Sequence, residues 1–241
     1  MTLLSIEKPE LSQVSAHYWI FGIIIFLLSV LAFSRVFYGH LISDRLGAYT
    51  ASRYLKQLIR KELVLYHPYS LITLLLFSMA TSLVLLKAFH LFSPQVLTQA
   101  ATGIAYRFND FQWFLMGTGV VLIWIVGRAF AFKLVEFLIG NDYGQTENRY
   151  RLIIFNQVCG YALIPLVSIA YFIREPLDKW LILACLGLLL LNYLYRLAQS
   201  LITAFNYSAN LLYLFLYLCT LEFVPLLIIG SMVLKETGLL K

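Results

Sequence analysis

Charge is what this sequence has least of. Asp, Glu, Lys and Arg together make up 12% of its 241 residues, about half the share found in soluble domains. So few charges cannot coat a water-facing surface, and a soluble globular fold is excluded. Cysteine is also scarce. Cys159, Cys185 and Cys219 are odd in number, far apart and each set in an apolar run, which excludes a disulfide framework or thiolate metal centre and leaves three small buried hydrophobes. The four histidines, His17, His40, His67 and His90, stand near the ends of apolar runs and form no HExxH-like pattern, so no metal and no cofactor is expected. Neither zinc-finger spacing nor an aromatic RNA-binding motif is present, and nucleic acid is not an expected partner. The opening MTLLSIEKPELSQVSAH is mixed and acidic, unlike the basic start of a cleaved signal peptide.

What is present is apolar length. With 61% hydrophobic residues and a mean hydropathy of +0.82, the chain reads as one all-α domain over residues 1–241, a polytopic integral membrane protein. A helical span needs ~20 mostly apolar residues. Six runs qualify, at about 18–38, 70–92, 111–133, 152–173, 180–200 and 211–234, predicting a six-transmembrane-helix bundle. The runs are continuous, without the alternation of barrel strands.

Basic residues give the orientation. Alternating the sides puts Arg35, Arg45, Arg53, Lys56, Arg60, Lys61, Arg128, Lys133, Arg149, Arg151 and Arg196 together, eleven of 18 Lys and Arg. That side is predicted to be cytoplasmic and both termini periplasmic. The net charge of +6 then points to loops beside anionic lipid. In the loop HLISDRLGAYTASRYLKQLIRKELVLYHPYS, Arg53, Lys56 and Arg60 recur at helical spacing beside Leu55, Leu58 and Ile59. Two readings stay open: an amphipathic helix on the inner leaflet with a basic cytoplasmic surface, or a helical extension of a neighbouring span.

Three arginines share a depth. Arg35, Arg128 and Arg196 each lie seventeen residues from the outer start of a span, roughly 25 Å along the helix. They could offer guanidinium forks to lipid phosphate, or simply snorkel as topology anchors. In the fourth span, NQVCGYALIPL combines Asn156, Gln157, Gly160 and Pro165; amides bridge helices and glycine permits close approach.

One acid interrupts the last apolar run, YLCTLEFVPLLIIG. Eleven residues past Leu211, Glu222 is expected ~17 Å into its helix, with no Lys or Arg at its depth. Thr81 and Ser82, at the matching offset in the second span, are its expected partners. Loss of water favours the neutral acid, so Glu222→Gln is expected to be well tolerated if the role is structural.

Two resemblances follow from these stretches. LYLCTLEFVPLL, with Tyr217, Cys219, Glu222 and Pro225, together with Arg35, SRYLKQLIRKE and Arg196 ahead of FNYS, resembles a family of Bacteroidetes inner-membrane proteins, the domain of unknown function 4271. The likeness covers most of the chain and implies a bacterial inner-membrane helical bundle without implying an activity. GYALIP resembles, far more faintly, a motif of Yip1-type membrane proteins, which have five spans and a cytoplasmic N-terminus.

The reading favoured by the residues is a non-enzymatic accessory of envelope assembly or transport, binding anionic phospholipid or a membrane protein partner at its basic cytoplasmic face. A small proton- or cation-coupled transporter using Glu222 is the alternative. A lipid-phosphate enzyme with Arg35, Arg128 and Arg196 as anion clamp comes third, because no general base accompanies them.

Overall fold

A computed structural model describes residues 11–50, 68–92, 110–139, 142–173 and 177–206, all but one of them helical. The helices are α1 (Leu11–Thr50), α2 (Pro68–Phe92), α3 (Asp110–Ile139), α4 (Asp142–Phe172) and α5 (Leu177–Asn206). Each contains a stretch long and apolar enough to cross a membrane: Tyr18–Gly39, Tyr69–Leu91, Asp110–Ala131, Arg149–Phe172 and Leu177–Gln199. These agree with the first five sequence-predicted spans to within about three residues, the usual uncertainty of helix ends. The protein is therefore an all-helical, multi-pass membrane protein. The sixth predicted run, with Glu222 and Cys219, lies outside the described residues, as do Arg53, Lys56 and Arg60.

Burial sorts the helices into two ranks. In α2 and α4, 67% of the membrane-crossing window is buried, against 17% in α1, α3 and α5. The central pair is flanked by three helices whose outer faces carry exposed Phe, Leu, Ile and Val, the side chains that hydrocarbon solvates at no cost. All five helices feed one core: Ile24 and Leu27 from α1, Leu76, Ala80, Leu83 and Val84 from α2, Phe114 from α3, Leu163, Ile164 and Val167 from α4, and Cys185 from α5. Trp19 meets the edge of Phe111 at 5.5 Å between ring centroids, tying the start of α1 to that of α3.

Close helix contact depends on small residues at two crossings. A Cβ on Gly160 of α4 would lie 3.1 Å from Phe77 Cβ and 3.4 Å from Phe77 Cα on α2. One on Gly117 of α3 would lie 2.6 Å from Ser82 Oγ, and that hydroxyl donates to the Phe114 carbonyl across the α2–α3 contact at 2.9 Å. Helices in lipid associate through such packing and hydrogen bonding, since lipid tails remove the hydrophobic drive.

The first helix runs on past its membrane-crossing stretch, while residues 53–60, which carry the amphipathic pattern of the loop, lie outside the described residues. Helix α1 continues to Thr50 past a non-helical Tyr38 (φ −124°, ψ 26°); Gly39, a weak helix former, follows the kink. The arm beyond it packs on the bundle. Ala48 is buried with Tyr150, Ile154 and Phe155 of α4, while the Tyr49 ring lies 4.7 Å from Phe155 and 5.3 Å from Tyr195 of α5. Along residues 42–49, Ala48 and Tyr49 thus meet protein while Leu46 stays exposed.

Candidate functional site

The kink brings a guanidinium into the bundle. Arg45 is 2% exposed, and its Nη1 donates to Gln157 Oε1 on α4. Gln157, fully buried, passes the link to α2: its Nε2 donates to Ser70 Oγ at 2.8 Å and to the Ser70 carbonyl at 3.2 Å. The face of Arg45 lies over the Tyr69 ring, 4.7 Å from its centroid. Tyr69 and Tyr161 share a hydrogen bond of 2.5 Å between hydroxyls, and the Tyr38 ring stacks 4.7 Å from Tyr69. Three helices thereby converge on one buried cation. An arginine keeps its charge in such a setting.

This centre was only half visible in the sequence. Gln157 stood out as an amide in an apolar run, and it does bridge helices. Arg45 counted merely as one more inner-loop cation, because the kink that turns it inward leaves no local signature. Gln157 lies eight residues past Arg149, the start of the α4 window, so the guanidinium reaches roughly 12 Å along the span.

The predicted site residues fall in unlike surroundings. Thr81 and Ser82 are buried, and both hydroxyl protons are engaged, Thr81 Oγ1 with the Phe77 carbonyl at 2.8 Å and Ser82 Oγ with that of Phe114. Either oxygen can still accept a bond. Arg35 is exposed, Arg128 buried and Arg196 partly covered. Arg128, Arg149 and Arg196 each sit beside an aromatic ring, at 5.8 Å from Trp124, 5.8 Å from Tyr150 and 5.1 Å from Tyr193. Arg151 Nη1 donates to Gln199 Oε1 at 2.8 Å and to the Gln199 carbonyl at 3.1 Å, joining α4 to α5.

The two ends of the bundle differ in charge balance. At one end, Lys87 Nζ on α2 lies 3.7 Å from Asp178 Oδ2 on α5 and donates to the Ala170 carbonyl of α4. His90 lies 3.8 Å from Asp110. At the other end, the described helices carry Arg35, Arg45, Arg128, Lys133, Arg149, Arg151 and Arg196 against Asp44, Glu136, Asp142 and Glu147. The Lys87–Asp178 pair is largely shielded, with 14% and 9% of the two side chains exposed. Lys87→Met is expected to strand the Asp178 carboxylate and lower stability by about 2–3 kcal/mol. Lys87→Arg should retain most of it, and thermal unfolding in detergent measures both. Equal losses would mean that packing, rather than charge, matters there.

Among the described residues no group of three or more His, Cys, Asp or Glu side chains could hold a metal ion, and Cys159 and Cys185 are free, buried thiols.

Comparison with known proteins identifies the family. The family model described as Domain of unknown function (DUF4271) matches residues 20–233, nearly the whole chain, and the protein belongs to that family. No curated protein and no solved structure matches it.

Proposed function

We propose that the protein is a non-enzymatic accessory of the bacterial cytoplasmic membrane, serving envelope assembly or transport, which holds anionic phospholipid at its arginine-rich end. That end faces the cytoplasm in this reading, with both termini periplasmic. The observation that carries it is the charge imbalance between the two ends: lysine and histidine face carboxylates at one, whereas at the other the described helices carry seven Lys and Arg against four carboxylates, Asp44, Glu136, Asp142 and Glu147. Cations at a cytoplasmic membrane surface attract anionic headgroups with ~1 kcal/mol each, and arginine suits the phosphate oxygens bidentately. The same basic end could receive an acidic membrane protein partner after the lipid is displaced.

Lipid retention tests this reading. Arg128→Gln combined with Arg196→Gln is expected to reduce co-purified phosphatidylglycerol or cardiolipin at least threefold in native mass spectrometry, relative to Arg174→Gln on the opposite side. Identical retention in the two variants would leave the arginines as topology anchors only.

A second reading, proton or cation coupling through Glu222, draws on the buried hydroxyls of α2. Ser70, Thr73, Ser78, Thr81 and Ser82 lead along the span toward Lys87. Thr73, Ser78, Thr81 and Ser82 each donate to a backbone carbonyl, so a relay through them has to break those bonds. The lipid-holding reading needs no such rearrangement.

A further inference from the structure

Helix α1 turns at one residue. Tyr38 leaves helical dihedrals (φ −124°, ψ 26°) while the chain is helical on both sides, so a change confined to Tyr38 and Gly39 redirects the whole arm, residues 39–50. Hinges are built from a few such positions. Arg35, Val36 and Phe37 ahead of the turn are exposed, and a Cβ on Gly39 would meet nothing within 4 Å, so the turn has room to move. Beyond it, polar and aromatic contacts fasten the arm across the arginine-rich end of the bundle. Arg45 donates to Gln157. The Tyr195 hydroxyl donates to the Tyr49 carbonyl at 3.3 Å, and Gln199, itself held by Arg151, donates to that hydroxyl at 3.4 Å. Among the described side chains of the arm, Ala48 is the buried apolar one, Ile42 and Tyr49 are half-buried, and Leu46 is exposed. Segments with so little buried apolar surface are those that open locally.

We propose that residues 39–50 are a hinged strap, closed in this structure, which opens when Arg45 exchanges Gln157 for the phosphate of an anionic phospholipid. The inference rests on the lipid-holding reading and adds its regulation. A ligand shifts a two-state element only by preferring one state, and the position of Arg45 supplies the preference. In the closed strap its guanidinium is 2% exposed at the level of Gln157, eight residues past Arg149 and roughly 12 Å inside the span, out of reach of a headgroup. With α1 running straight through Tyr38, Arg45 stands six residues past Gly39, the end of the membrane-crossing stretch, and so roughly 9 Å beyond it. The headgroup layer is roughly 5–8 Å deep, and helical side chains lean back toward the N-terminus. The guanidinium then lies among phosphates. Gln157 keeps its hydrogen bonds to Ser70 when the strap leaves, which limits the cost of opening.

Spin-label distances on the full chain test this, with Cys159, Cys185 and Cys219 replaced by Ala. Labels at the exposed positions Leu46→Cys and Val126→Cys span the hinge, whereas labels at Leu28→Cys and Val126→Cys do not. In phosphatidylcholine nanodiscs the first pair is expected to be mostly closed. Adding phosphatidylglycerol should raise its open-to-closed ratio about fivefold, the gain of one basic residue at an anionic surface, while the second pair keeps one distance. Tyr195→Phe, which removes the donor to the Tyr49 carbonyl, should populate the open distance in phosphatidylcholine alone, and Arg45→Gln should abolish the response to phosphatidylglycerol. The same distribution for the first pair in both lipids would overturn the strap, and lipid retention by the Arg128 and Arg196 variant would then decide the lipid-holding reading separately. Opening by inorganic phosphate in phosphatidylcholine would assign the trigger to a soluble anion and overturn the proposal too. Should Arg45→Gln fail to accumulate, hydrogen exchange of residues 42–49 in the unsubstituted chain gives a second readout, expected to be about fivefold faster with phosphatidylglycerol; equal rates in the two lipids would sink the proposal.

Discussion

Gln157→Met is expected to cost about 3–5 kcal/mol of stability while changing side-chain shape very little. Methionine fills nearly the same volume, so lost packing contributes little. What disappears is polarity at a junction of three helices. Arg45 Nη1 loses its amide acceptor, and the Ser70 hydroxyl and carbonyl lose the amide donor they share. Each buried polar group stripped of a partner costs about 1–3 kcal/mol, and a charged one more. Gln157→Glu, which keeps an acceptor for the guanidinium, should lose less than Gln157→Met. Chemical denaturation in mixed micelles measures the difference. A loss below about 1 kcal/mol for Gln157→Met would show that water solvates Arg45 and that the junction is not sealed.

The second large effect is expected at Gly160. Leucine there has to insert a side chain where even a Cβ lies 3.1 Å from Phe77 Cβ and 3.4 Å from Phe77 Cα. Rotating the phenyl ring moves neither of those atoms, so α2 and α4 must separate. These are the two most buried helices of the bundle, and the cost should reach about 3 kcal/mol or more. Gly160→Ala should be far milder, because its better helix propensity, about 1 kcal/mol, offsets a contact that gives by a few tenths of an ångström. Gly127 on α3 supplies the contrast. A Cβ there meets nothing within 4 Å, and Gly127→Leu is expected to shift stability by no more than about 0.5 kcal/mol. Comparing thermal midpoints of the three variants in one detergent checks this, and similar losses at Gly160 and Gly127 would mean that helix–helix distance is not the limiting factor.

Local composition alone determined the class of this protein and its first five spans. Hydrocarbon imposes a length and an apolarity on every crossing helix, and both can be counted along the chain, which is why those helices were found within about three residues. Composition also separated the basic loops from the rest, since charge bias is a sum over residues. Which helices lie at the centre was not legible, because hydropathy is alike whether a helix faces lipid or protein: α2 and α4 are as apolar as their neighbours and four times as buried. Nor did the sequence show that the first helix runs past its span to pack Ala48 and Tyr49 on α4 and α5. Arg45 is the sharpest case. Its sequence neighbours mark it as a loop cation, and only the kink at Tyr38, together with a glutamine more than a hundred residues away on α4, makes it the buried centre of the structure. A pairing between distant residues is fixed by how helices cross, and the physical reason it escapes a linear reading is that crossing geometry is settled by side-chain volume and shared hydrogen bonds, quantities that belong to two segments at once.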